Sequence, residues 1–176
     1  EKMTLAGSFS FDQTEGYGMC GSMFIKPGFY PVDVLEFTPG RKTLQTYAFD
    51  GGISYDLTKS LRIGAKMDFE SANMAKRKDL RHSNWRLDMR VAPGVMYRSR
   101  DWAFGANYIY GRTTESVEAD QIGVSESSYY AFLDKGLMYG VYNIWTGGAL
   151  HLSESGVKCM PVKEQSHGLA AQLQYK

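Results

Sequence analysis

Few residues in this chain are spaced for covalent chemistry, and each candidate competes with a structural role. Gly16, Gly18 and Gly21 match the G-x-G-x-x-G pattern of dinucleotide sites. That chemistry needs a helix N-terminus directly after the glycines, whereas Ser22 to Ile25 alternates in polarity and Pro27 follows. The glycines therefore read as a turn and as places where a sheet bends or packs closely. His151, Ser153 and Glu154 could be imagined as a hydrolase set, but no nucleophile elbow accompanies them and an exposed loop is the simpler reading. The three histidines, His82, His151 and His167, share no metal-ligand spacing, and Cys20 and Cys159 are too few for a disulfide framework, so two unpaired thiols are expected. Lys76, Arg77, Lys78, Arg81 and His82 form one basic cluster, interrupted by Asp79, that could meet phosphates or simply be a solvated loop. No cofactor, metal or catalytic residue is expected.

The elements that carry these residues alternate strictly with a period of two. Tyr47, Phe49, Gly51, Ile53 and Tyr55 interleave with Ala48, Asp50, Gly52, Ser54 and Asp56. Leu61 to Glu70, Trp85 to Arg98, Trp102 to Gly111 and Leu169 to Lys176 repeat the pattern, as do Met3 to Asp12 and Tyr17 to Ile25. A period of two means β-strands with chemically opposed faces. About seven strands are visible, as expected for an antiparallel sheet of hairpins. Tight turns are expected at 13–16, 57–60 and 99–101, with long loops at about 27–42, 72–84 and 113–166. Consecutive antiparallel strands reverse direction, so the tight turns share one rim and the long loops the other. The aromatic-rich stretch 128–146 lacks clean alternation and reads as a loop with its own small core or an additional hairpin.

Same-face pairing suggests registers. Placing Tyr55 opposite Leu61 sets Asp50 against Lys66 and Phe49 against Met67, and placing Phe69 opposite Trp85 sets Asp68 against Arg86. Pro93 removes a ladder donor mid-segment, which suggests a bulge beside Gly94.

Two architectures accept such strands: a soluble sandwich or barrel with an apolar core, or a membrane barrel with the faces inverted. Strands of roughly ten residues exceed the soluble mode of ~5–6 and match the ~9–11 of a tilted membrane strand. Tyr47, Trp85 and Tyr110 stand at one end of the apolar parity, and Tyr55, Tyr97 and Trp102 at the other. Eight residues separate Tyr47 from Tyr55, about 26 Å along a strand and roughly 20 Å after tilt, near the ~25 Å band between the aromatic girdles of a membrane barrel. These six aromatics are the candidate membrane-interface residues. Asp50, Arg62, Lys66, Asp68, Glu70, Arg86, Asp88 and Arg90 lie on the other parity and are the candidate lumen-lining residues.

The segments AFDGGISYDLTKSLRIGAKMDFE, NWRLDMRVAPGVMYRSRDWAFGANYIYGR and HGLAAQLQYK resemble the outer-membrane β-barrel proteins of Gram-negative gut bacteria. The resemblance covers about two thirds of the chain and brings no binding motif. It implies a single all-β segment spanning residues 1–176, a transmembrane antiparallel barrel that is part of a larger one, located in the outer membrane. Lipid or lipopolysaccharide is the expected partner, with a small solute as a further candidate. The net charge of +1 gives no reason to invoke nucleic acid. A start at Glu1 suggests a mature product or fragment. Passage or uptake of a small solute is the leading expectation. A surface structural or binding protein with a plugged lumen and partner-binding loops is the alternative, and a soluble β-sandwich a third.

Overall fold

The computed structural model describes residues 2–120, 130–136, 140–146, 150–152 and 162–175. Among them the fold is one antiparallel sheet without helix. Its nine strands are β1 (Met3–Ser22), β2 (Val32–Asp56), β3 (Leu61–Lys76), β4 (Arg81–Arg98), β5 (Trp102–Asp120), β6 (Tyr130–Lys135), β7 (Tyr142–Thr146), β8 (Leu150–Leu152) and β9 (Val162–Tyr175). The wall runs β1-β2-β3-β4-β5-β9, with β1 and β9 at its open edges. Above the end of β3, β6 takes the edge of β2 and carries β7 as a hairpin partner, while β8 takes the edge of β5 above β9.

The long strands extend well past the segments whose alternation is legible. Residues 32–42, 72–76, 81–84 and 113–120, assigned to loops by the sequence, all lie in strands, and Val162 to Ser166 already belongs to β9. No turn forms at 13–16. Gln13, Thr14 and Glu15 pair with Gln45, Leu44 and Thr43, which makes β1 one continuous strand. The physical reason is shared by these stretches. Their two faces are both rich in polar groups, so the apolar signal fades while the backbone ladder continues.

The turns at 57–60 and 99–101 form where expected. Thr58 fixes the first: its N–H donates to the Leu61 carbonyl, and its Oγ1 accepts from the N–H groups of Ser60 and Leu61. On the opposite rim the β3–β4 connection is only Arg77 to Leu80, not the long loop expected. The rims therefore differ less than the sequence suggests.

Both proposed registers are displaced. Tyr55 faces Ile63 and Asp50 faces Asp68, two residues from expectation, because the turn needs Leu57 to Leu61 between the paired Asp56 and Arg62. Phe69 faces Met89 rather than Trp85, because β3 and β4 run further before they turn. Even shifts leave every side chain on its expected face. Pro93 needs no bulge: the β4–β5 ladder skips Ala92 and Pro93 and resumes in the same register at Gly94 and Asn107. The irregularity lies in β1, where the register shifts on either side of Met19 and Gly18 and Gly21 adopt positive φ. The apparent nucleotide motif is thus a pair of bulges, where only glycine takes that backbone cheaply.

The sheet curls toward its polar face. Thr4 and Ala6 of β1 and Gln172 of β9, from opposite edges, line one hollow of about 490 Å³ together with Gly52, Gly64, Gly94 and Gly105. Small residues on the concave side let neighbouring strands close up. A Cβ added at Gly64 would sit 2.8 Å from the Ile53 carbonyl oxygen, whereas one at Gly52 would be no nearer than 3.6 Å to any neighbour. Gly64→Ala should therefore cost about 1–3 kcal/mol through overpacking, while Gly52→Ala should stay within roughly 0.5 kcal/mol. Denaturant midpoints of the two variants check this.

Candidate functional site

The apolar face forms a belt of constant height. Its outward residues run from Met3 to Phe11 on β1, Tyr47 to Tyr55 on β2, Leu61 to Phe69 on β3, Met89 to Tyr97 on β4 and Trp102 to Tyr110 on β5, eight residue steps each. The next outward residues are polar: Gln13, Gln45, Ser71 and Arg112, with Leu87 and Trp85 prolonging the belt on β4 only. Of the six candidate aromatics, Tyr47, Tyr55, Trp85, Tyr97 and Trp102 are exposed and Tyr110 is half-buried. Five stand at the belt's borders, while Trp85 lies one outward step beyond Leu87, which is level with Tyr47.

The belt is staggered. Met3 faces Tyr55 and Tyr55 faces Ile63, but β3 ends its belt at Leu61, opposite Tyr97, and β5 ends it at Trp102, opposite Tyr175. The lower border therefore drops four residues across the five steps from β1 to β9. At ~3.3 Å per residue and ~4.8 Å per strand this is a tilt of about 30°, and the belt is then about 23 Å high.

The opposite face divides into two zones. In the lower zone Asp50, Lys66, Asp68, Glu70, Asp88 and Arg90 line a hollow of about 570 Å³. Lys66 Nζ bridges Asp68 at 2.9 Å and Asp50 at 3.3 Å, so the expected Asp50–Lys66 contact forms diagonally. Arg62 pairs with Asp56 at the tight-turn rim.

In the upper zone the connection between β1 and β2 folds onto the wall. Met23, Phe24 and Tyr30 are buried with Val34, Leu80, Val117 and Ala119, forming the largest apolar core of the described residues. The wall also holds this segment through polar groups. The Ile25 N–H donates to Glu115 Oε1 at 2.7 Å, Asn84 Nδ2 donates to the Met23 carbonyl, and Lys42 Nζ donates to the Ser22 carbonyl at 2.9 Å. Lys26 pairs with Glu70 at 2.7 Å, joining the segment to the lower zone. Arg86 lies under the Phe29 ring, 4.7 Å from its centroid, bonds Asp88 at 2.8 Å and has Glu115 at 3.8 Å. It does not face an open lumen, as the sequence suggested: its side chain is 1% exposed.

Glu36, Lys42 and Lys76 form a second buried group, with Lys76 Nζ 2.5 Å from Glu36 and Lys42 at 3.4 Å. Sequence reasoning missed Glu36, Lys42, Asn84 and Glu115 as interior groups. The available signal was the apolar cluster Met23, Phe24, Phe29 and Tyr30, which straddles the end of a supposed strand at Ile25, where β1 in fact stops at Ser22, and the start of a supposed loop.

The basic cluster does not stay together. Lys76 and His82 point inward and are buried, and Arg81 bonds Asp79 at 2.9 Å. Among the described residues no cluster of His, Cys, Asp and Glu is placed to hold a metal ion. Ser153, Glu154 and Cys159 lie outside the described residues, as do positions 128, 129 and 137–139 of the 128–146 stretch, whose described part supplies the β6–β7 hairpin. Cys20 is exposed.

A protein-family model matches residues 1–176. The chain belongs to the DUF6850 family. That family is described as one of unknown function, and no curated protein or solved structure matches the chain.

The inserted segment makes the upper zone sensitive to acid. Burial, helped by nearby Lys42 and Lys76 and opposed by the 2.8 Å bond to Asn84, lowers the His82 pKa from 6.5 to about 4. His82 is therefore neutral in the fold, and its contribution is complete above pH 6.5 and lost as pH falls toward 4. The loss is on the order of 2–3 kcal/mol. Burial pushes the Glu115 carboxyl up, which acts in the opposite direction on acidification. His82→Gln should remove the histidine share, giving a shallower fall in unfolding midpoint between pH 7 and pH 4 than the unmodified protein. Arg86→Ala should cost about 3–5 kcal/mol, because Glu115 would remain buried without its cation; Trp fluorescence during denaturant unfolding reads both.

Proposed function

We propose that this chain is a wall segment of an outer-membrane β-barrel, with its apolar belt in lipid and its charged face lining a passage for a small solute. The observation that carries this reading is the uncovered belt of constant height. Its ~23 Å is close to the ~25 Å apolar band of membrane barrels, and its tilt of about 30° is near their ~35–45°. A soluble sandwich would lay a second layer over Phe9, Phe49, Phe104 and Leu173. Among the described residues those side chains stay exposed, and the substantial contacts between elements are all between sheet neighbours. The open edges at β1 and β9 require further strands to complete a barrel, since an unpaired edge in lipid is costly.

Asp50, Lys66, Asp68, Glu70, Asp88 and Arg90 then border the aqueous route, and the segment 23–31 narrows it at the rim distant from the tight turns. That segment also favours a second reading, a plugged barrel that serves as a surface structural or binding protein. Buried side chains hold it in place, so it is built into the fold.

Planar-bilayer recording of the full-length protein separates the two. The passage predicts discrete current steps, and Asp50→Asn with Asp68→Asn should shift cation-over-anion permeability toward anions by roughly two- to threefold. A heat-modifiable folded barrel that gives no current would reject the passage in favour of the plugged form. A chain that stays monomeric and folded in buffer without detergent would reject both.

A further inference from the structure

The upper border of the belt is chemically uneven. Where β1, β2 and β3 leave the belt, the first outward residues are the neutral Gln13, Gln45 and Ser71. On β5 and β9 they are the guanidinium of Arg112 and the imidazole of His167. Tyr110 faces His167, Arg112 faces Gln165 and Thr114 faces Lys163, all on the outward face. The Tyr108 hydroxyl and His167 Nδ1 are 2.6 Å apart, and the Tyr110 ring centroid is 5.4 Å from that of His167. Two tyrosines thus fix the imidazole at the border, and Arg112 follows one outward step higher on the neighbouring strand. Leu169, directly below His167, is 87% exposed. From Tyr108 to Ser116 and from Lys163 to Leu169, the outward positions hold no carboxylate.

We propose that this patch binds the phosphate of an anionic membrane lipid, seated on the β5–β9 face with its acyl chains along the belt below. The inference rests on the membrane reading above and adds to it a place and a headgroup chemistry. An Arg guanidinium offers a forked donor set that matches a phosphate, and the phenol and imidazole groups suit a border with one apolar and one wet side. Continuity with the belt selects a lipid over a free anion, because the chains of the same molecule would cover Leu169, Ala171 and Phe104. The basic cluster at 77–81 is not the equivalent site. Arg77 stands eight residues above Phe69, about 26 Å along the strand, beyond the reach of a headgroup at the belt.

The test uses the full-length protein in vesicles of phosphatidylcholine, with and without phosphatidylglycerol. The expected result is a melting temperature about 3–5 °C higher with phosphatidylglycerol, a rise lost in Arg112→Gln combined with His167→Gln. Arg112→Lys should keep most of the rise, and Arg100→Gln at the opposite rim should keep all of it. Equal rises in the unmodified protein and the double variant would overturn the site while leaving the membrane reading intact. The same rise produced by inorganic phosphate in phosphatidylcholine vesicles would overturn the lipid as ligand. Failure to insert into any vesicle would remove the membrane reading, and the site with it.

Discussion

An antiparallel ladder puts every second side chain on the same side of a sheet, so one register decides what all its strands present to each surrounding medium. Here that ladder is continuous from Met3 opposite Tyr55 to Trp102 opposite Tyr175. The belt, the charged face and the curl toward the glycine-lined hollow are consequences of it. None needs a packed interior in the lower zone, where stability rests on backbone pairing and on what covers the apolar side.

The upper zone obeys a different rule. There the polar face is covered by the chain itself, and the charges that would face water are taken inside with their partners. Burying Glu36 or Arg86 alone would be strongly unfavourable, so the fold supplies Lys42 and Lys76 to the first and Asp88 with Glu115 to the second. Such pairs contribute little net stability compared with apolar packing of the same volume. Their structural effect is to set where the segment can lie, since main-chain groups of Ser22, Met23 and Ile25 each meet one particular side chain of the wall.

Legibility in the sequence followed the chemistry of the two faces. Between Tyr47 and Tyr55 an apolar face opposes a polar one, and strand, face and approximate partner could all be read. Between Val32 and Gln45 buried Glu36 and Lys42 oppose exposed Phe37 and Arg41, so hydropathy loses its period although the strand is straight through. The turn at Arg77 to Leu80 was hidden for the same reason, which displaced the Phe69 partner by four residues. Gly16 to Gly21 shows the converse: a recognisable string whose meaning, two bulges in an edge strand, depends on partners distant in the sequence, from Glu36 to Lys42. The inserted segment could not be placed at all, because its attachments to Asn84 and Glu115 are long-range.

The single phase shared by the six long strands also bears on assembly. A slip of one residue at any ladder would carry Lys66 or Arg90 onto the apolar face and a run of Phe, Ile and Leu onto the charged one. In a bilayer each misplaced cation near the midplane costs roughly 2–4 kcal/mol. Slips of two residues keep the faces correct but break the belt's common border, which leaves one strand standing about 6.6 Å proud of its neighbours. With the belt in lipid, as proposed, a mispaired intermediate would be rejected by the surrounding lipid rather than by a tight core, and the alternation would then work as error correction during insertion as well as a description of the finished wall.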